Sequence, residues 1–298
     1  MQSTIVVCGA TGNQGRAVVR HLLARRRWDV VAMTRAPDST RAVEAARAGA
    51  RVVRGDLLDR ESLRDAFRGA HGVFGVTQPW SPDYKTCDVA GEIRQGRNLI
   101  DACVDAGVEH LVLSTVLPVA TAPTGVPHVD SKVEIEKYAR EMHVPMTVIR
   151  PASFMDNIGT RFFPVKPGRV RGFVARDAKV PYIACADIGG LVSVAFVRSD
   201  QLRGSEINAV GDFVSGDEIA AILARIHGAP FRYTVPPAFL MWLFAREFYT
   251  MRRSFERYGR APYPPEVSAY IDQTRRLWPE TMTLERFLRQ PDRGFTVA

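Results

Sequence analysis

No apolar run in this sequence reaches the roughly 18 to 20 residues that a membrane span requires. The longest, VPPAFLMWLFA at 235–245, is shorter and carries two prolines, so it reads as a buried helix or an apolar lid. The four cysteines, Cys8, Cys87, Cys103 and Cys185, show neither CxxC nor metal-ligand spacing, and three lie in apolar runs. They read as buried, reduced thiols, and no metal site is expected. Helix-turn-helix, zinc-finger and RNP patterns are missing, which argues against a nucleic-acid partner. There are no internal repeats and no low-complexity linker. MQSTIVVCGA runs directly into a strand with no basic leader, from which a cytoplasmic protein away from the membrane is expected. Lysine is scarce too: five of the 40 basic residues, the rest being arginine. Each lysine is therefore the less casual choice.

What is present is ordinary globular material, 46% hydrophobic and 24% charged over 298 residues, with a net charge of +8. The charges are interspersed except between 160 and 179. There Arg161, Lys166, Arg169, Arg171, Arg176 and Lys179 face only Asp177. This segment is either a solvated basic surface or a rim that attracts an anion. The first half alternates β-branched runs at 4–9, 28–34, 50–55, 72–77, 110–115 and 144–150 with helical patterns at 13–25, 40–48, 60–67, 85–106 and 128–142. Such alternation predicts βαβ units around a parallel sheet buried on both faces, a doubly wound α/β fold. After Arg150 the rhythm breaks. A strand at 180–184, a helix at 186–198 and a strand at 206–210 restore it, and from about 213 the pattern is helical and aromatic, with prolines at 230, 236, 237, 262, 264 and 265. The expected organisation is a nucleotide-binding domain over 1–157, completed by 180–211. A smaller, mainly helical lobe over 158–179 and 212–298 would carry substrate specificity.

GATGNQG, residues 9–15, sits between the first strand and the first helix. Glycines there allow a tight turn and let backbone N–H groups approach a pyrophosphate, with the helix start adding its positive dipole end. Gly9, Thr11, Gly12, Asn13, Gln14 and Gly15 are the candidate contacts. An NAD enzyme places an acid about 20 positions on to bind the ribose hydroxyls. Here Arg35 stands 20 residues after Gly15, and the nearest acid, Asp38, lies beyond Pro37. A guanidinium suits a 2′-phosphate, so NADP(H) is expected. Asp56, in RGDLLD, offers a carboxylate to the adenine amino group or caps the following turn. Thr77, in TQPW, lies on the side expected for the nicotinamide ribose.

These motifs, with HVDSK (128–132) and RPASFMDN (150–157), resemble in content and order the NmrA-like branch of atypical short-chain dehydrogenases/reductases over about residues 4 to 210. The resemblance implies the Rossmann fold and a dinucleotide cofactor. Catalytic short-chain dehydrogenases usually carry Tyr-x-x-x-Lys on this helix, the lysine holding the nicotinamide ribose and lowering the tyrosine's pKa. Here Lys132 keeps the lysine position and His128 stands where the tyrosine would. Histidine can transfer protons near neutral pH, although a cation one turn away favours its neutral, poorer-acid form. His128 is either that acid or a solvated residue at a helix start.

Three functions follow from the resemblance. The first is an NADPH-dependent reductase acting on a small planar, aromatic or quinone-like carbonyl or enone. The second is a non-catalytic NADP(H) sensor with a protein partner, and the third an isomerase or lyase on the same fold. Trp80, Ser114 (or Thr115) and Asn157 are candidates to touch substrate, Asn157 alternatively ordering its turn. A homodimer is compatible with all three. The aromatic stripe 239–249 reads first as core and second as a wall for a planar ligand.

Overall fold

The computed structural model describes residues 2–81, 86–117, 124–244, 246–260 and 265–291. In chain order the nucleotide-binding half runs β1 (Thr4–Val7), α1 (Asn13–Arg25), β2 (Asp29–Thr34), α2 (Thr40–Arg47), β3 (Arg51–Arg54), α3 (Arg60–Phe67), β4 (Ala70–Val76), α4 (Val89–Asp105), β5 (His110–Ser114), α5 (Pro127–Glu141) and β6 (Met146–Pro151). Then come β7 (Ser153–Phe154), a 3-10 turn at Met155–Asn157, β8 (Val165–Lys166), β9 (Arg169–Arg171) and β10 (Lys179–Ile183). The chain continues through α6 (Cys185–Val197), α7 (Ser199–Leu202) and β11 (Glu206–Ala209). It closes with β12 (Asp212–Ser215), α8 (Gly216–His227), β13 (Arg232–Thr234), α9 (Ala238–Phe244), α10 (Arg246–Tyr258), α11 (Glu266–Leu277) and α12 (Leu284–Leu288). Pro262, Pro264 and the side chain of Phe244 lie outside the described residues.

Two compact units result: Met1–Val116 with His128–Arg150 and Cys185–Ile207, and Leu117–Pro127 with Pro151–Ala184 and Asn208–Ala298. The first holds a seven-stranded sheet in the order β11-β6-β5-β4-β1-β2-β3, parallel from β6 to β3. Its central strands are buried along their length, β5 at every residue, as β-branched runs covered on both faces should be. The doubly wound α/β fold expected from the alternation is therefore the observed one. Helix starts follow local chemistry. Asp59 accepts from the N–H groups of Glu61 and Ser62, and Asp88 from that of Gly91. Helix α1 ends at Arg26 in a left-handed conformation.

Between β1 and β4 the strand order reverses, and α1 and α6 pack with almost no side chain between them. A Cβ on Gly189 would lie 2.6 Å from the Ala17 carbonyl, so residue 189 has room only for hydrogen. Strand reversal of this kind opens a crevice at the carboxyl ends of the strands, where ligands of open α/β sheets bind.

The second unit differs from the helical pattern read from 213 onward. It contains two three-stranded sheets, β12-β10-β7 and β13-β9-β8. DFVS and RYT are too short to show a period of two, and their strand state comes from pairing with β10 and β9. The aromatic stripe is not uniform core: Phe248 is half-buried against Phe162 and Phe173, while the first half of the stripe is exposed. It is split between α9 and α10, with Phe239 67% and Trp242 53% exposed, because α9 turns Met241 inward and leaves its neighbours out. No helix among the described residues is long and apolar enough to cross a membrane.

Candidate functional site

The glycine turn lies where β1 delivers the chain to α1. Gly9 adopts φ +61°, a conformation that favours glycine. Its carbonyl accepts from the Gly12 N–H at 2.9 Å. A Cβ at Gly15 would come within 2.2 Å of that same carbonyl oxygen and 2.9 Å of the Ala10 Cα, so the helix starts directly on the loop backbone. Gly12 is the N-cap and contributes no capping side chain, and the first turn of α1 holds no acid. A helix start of this kind suits an anion by both its N–H groups and its dipole.

At the end of β2 the Thr34 hydroxyl lies 3.4 Å from that of Thr11 and accepts from the Ala36 N–H. Arg35 is exposed. Arg41, in the first turn of α2, donates to the Thr11 carbonyl at 3.1 Å. That places a second guanidinium beside the glycine turn, six residues beyond Arg35. Asp56 uses one carboxylate oxygen to accept from the Leu58 N–H at 3.0 Å, forming an Asx turn after β3.

The ends of β4 and β5 are different in kind. Lys132 is largely buried, and its Nζ donates to the Thr77 carbonyl at 2.7 Å and to the Thr77 hydroxyl at 2.8 Å. It also lies 2.7 Å from Glu92 Oε1. Three acceptors match the three protons of an ammonium. Glu92 has no solvent exposure; its Oε1 also accepts from the Thr77 hydroxyl at 2.9 Å, and its Oε2 from Ser131 at 2.5 Å. Burial lowers the Lys132 pKa from its ordinary value, and the Glu92 carboxylate opposes that shift. His128, one turn before Lys132, is half-buried with its ring 5.7 Å from that of Trp80 and tilted 53° to it. Helix α5, the first turn of α4 and the segment after β4 thus meet in one hub.

Ser114 is buried and donates to Gln14 Oε1 at 2.8 Å, which ties β5 to the first turn of α1 and turns its hydroxyl inward. Thr115 donates to Glu136 at 3.3 Å. Glu136 anchors a network with Arg140, Arg150 and Glu206 that links α5, β6 and β11. Burial would raise the Glu136 carboxyl, but Arg150 and Arg140 hold it below the usual range. Asn157 belongs to the second unit, exposed in the 3-10 turn, with its carbonyl accepting from Thr160. No group of three or more His, Cys, Asp or Glu suited to a metal occurs among the described residues.

Glu92, Ser131 and Arg41 escaped the sequence reading. Glu92 left a trace: with Gly96, Leu99 and Cys103 it falls on the buried stripe of α4, and an acid on an apolar stripe requires a partner.

A model of the NmrA-like family matches residues 1–288. The chain is 31% identical over 255 residues to the NmrA-like family domain-containing oxidoreductase FrzB of Cladobotryum sp, covering 78% of this chain and 76% of that protein. It is 28% identical over 249 residues to the NmrA-like family domain-containing oxidoreductase malD of Malbranchea aurantiaca, covering 77% and 74%. Among solved structures it superposes on NmrA, a negative transcriptional regulator, with a TM-score of 0.79 at 21% identity over 98% of this chain and 96% of that one. The triphenylmethane reductase of Citrobacter sp., complexed with NADP(H), gives 0.77 at 20% identity over 97% and 99%. These two likenesses speak for the fold.

Proposed function

The chain belongs to the NmrA-like family, and from that premise we propose that it is an NADPH-dependent reductase of a small planar, quinone-like or enone substrate. The observation that carries a dinucleotide is the glycine turn, set on a left-handed Gly9 at the reversal of strand order with an acid-free helix start behind it. The residues fit the cofactor. N–H groups of the 9–15 turn and the first turn of α1 would hold the pyrophosphate. Arg35, with Arg41 behind the turn, supports a 2′-phosphate over a bare ribose hydroxyl, since neither guanidinium has a carboxylate partner at the end of β2 among the described residues. The relatives named as oxidoreductases support reduction as the reaction class.

Bound NADPH supplies a hydride. The chain's own part is to orient and to handle a proton. Thr77 and Lys132, fixed by Glu92, would form a rigid platform at the end of β4. His128 stands on α5 in the place a tyrosine usually takes, and as imidazolium it can give a proton to a substrate oxygen. A quinone-like acceptor also accepts its proton from water. A second reading, an NADP(H)-binding sensor, is favoured by one observation: every Lys132 proton already has a protein acceptor. The test is NADPH deuterated at its transferable C4 position, incubated with the protein and with a panel of quinones and a small-molecule extract. Deuterium in a product establishes the reductase. Tight NADPH binding with no labelled product points instead to the sensor or to the isomerase or lyase reading.

A further inference from the structure

We propose that Glu92 is the positioning residue of this site: its carboxylate holds the Lys132 ammonium against Thr77, so that the segment after β4 and the helix carrying His128 are set as one piece. The proposal rests on the reading that the β4 end is the nicotinamide side of a dinucleotide site. Its basis is geometric. Glu92 has no exposure, and it receives three hydrogen-bonding groups from two elements other than its own: Lys132 and Ser131 of α5, and the hydroxyl of Thr77. Thr77 donates to Glu92 while accepting from Lys132, so neither partner can turn without the other losing a bond. A buried carboxylate stripped of its cation is strongly destabilising, which makes Lys132 and Glu92 a single functional element.

Charge supports the pairing. From α4, Glu92 faces the ammonium; from the end of β4, Thr77 is neutral. Within four residues on α5 are His128, Asp130, Glu134 and Glu136. Of these, Glu134 pairs with Arg97, and Glu136 with Arg140 and Arg150. Burial pushes Lys132 toward its neutral form, and Glu92 opposes it. A neutral carboxamide at 92 would keep the shape and withdraw the opposition.

The five lysines make this measurable one residue at a time. With 13C at each lysine Cε, the resonance lost in Lys132→Arg identifies Lys132, and its titration is followed in wild type, Glu92→Gln and Glu92→Asp. The expected result is that Lys132 titrates at lower pH in Glu92→Gln and returns toward wild type in Glu92→Asp. NADPH affinity should fall about tenfold more steeply from neutral to alkaline pH in Glu92→Gln than in wild type. Superimposable Lys132 titrations in wild type and Glu92→Gln overturn the proposal. If Glu92→Gln does not fold, Glu92→Asp, which keeps the charge but shortens its reach to Lys132, is read alone. Lys132 titrating at lower pH than in wild type supports the proposal, and superimposable titrations overturn it. Wild-type protein that binds no NADPH overturns the reading of the site instead, and the titration, which needs no cofactor, still decides whether Glu92 governs Lys132.

Discussion

At the ends of β1, β2 and β3 the candidate groups are exposed, half-buried or belong to the backbone: the Gly9 turn, Arg35, Arg41 and the Asp56 Asx turn. At the ends of β4 and β5 they are sealed and bonded to one another: Thr77, Glu92, Ser131, Lys132 and the Ser114–Gln14 contact. One sheet edge thus uses two strategies. On the proposed reading the exposed side would meet an anion with side chains that remain hydrated, so each of those side chains can be lost at modest cost. The sealed side fixes geometry by satisfying every polar atom in a poorly solvated place, so losing one strands another.

The comparison is broken most severely by Lys132→Ala, which leaves Glu92 buried and uncompensated. A loss of about 3–5 kcal/mol in urea unfolding is expected. The double variant Lys132→Met with Glu92→Leu should recover most of it. A double variant as unstable as the single would show that the charges are not coupled. Next, Gly15→Ala should cost about 3 kcal/mol or abolish nucleotide binding, because its Cβ meets backbone that cannot swing aside. A thermal melt matching wild type would contradict that geometry.

A control sits at the other end of β5. His110 is buried, with Nε2 2.8 Å from the Thr147 hydroxyl and no partner for Nδ1 among the described residues. Burial first, then Arg203 and His71, push its pKa down from 6.5 to about 4. The folded state therefore prefers neutral histidine. Stability should be full above pH 6.5 and decline by up to about 3 kcal/mol as pH falls to 4. His110→Leu should flatten that stretch of the stability curve. On the exposed side, Arg35→Asp should reduce NADPH affinity about tenfold while sparing NADH, roughly 1.4 kcal/mol. Unchanged preference in parallel titrations would remove Arg35 from the site. Smallest of all, Ser114→Ala should cost about 1 kcal/mol of stability, read from the shift in urea midpoint.

The same division governs what the sequence reveals. Helices α1 and α3 fall on the predicted residues because apolar periodicity and helix-start signals are local. The place of the GATGNQG turn between β1 and α1, and of Arg35 just after β2, is legible for the same reason, since both follow from local pattern. The resemblance to the NmrA-like family is likewise borne out by the family match. Glu92 was missed because its partners come from residues 77, 131 and 132, which only the fold brings to it. Arg41 was missed because its target is a carbonyl, and a carbonyl leaves no mark in a sequence. Strands β12 and β13 were invisible because pairing, not pattern, makes them strands.

The first unit is discontinuous, and its last pieces, α6 and β11, arrive only after residues 151–184 have been made. Until then a nascent chain presents β6 as an unpaired strand edge and α1 with its Ala17 backbone uncovered, both ready templates for another chain. Residues 185–209 cover both surfaces, β11 pairing with β6 and Gly189 of α6 closing on Ala17. A chain released before that point would carry every glycine of the 9–15 turn and still expose an unpaired edge.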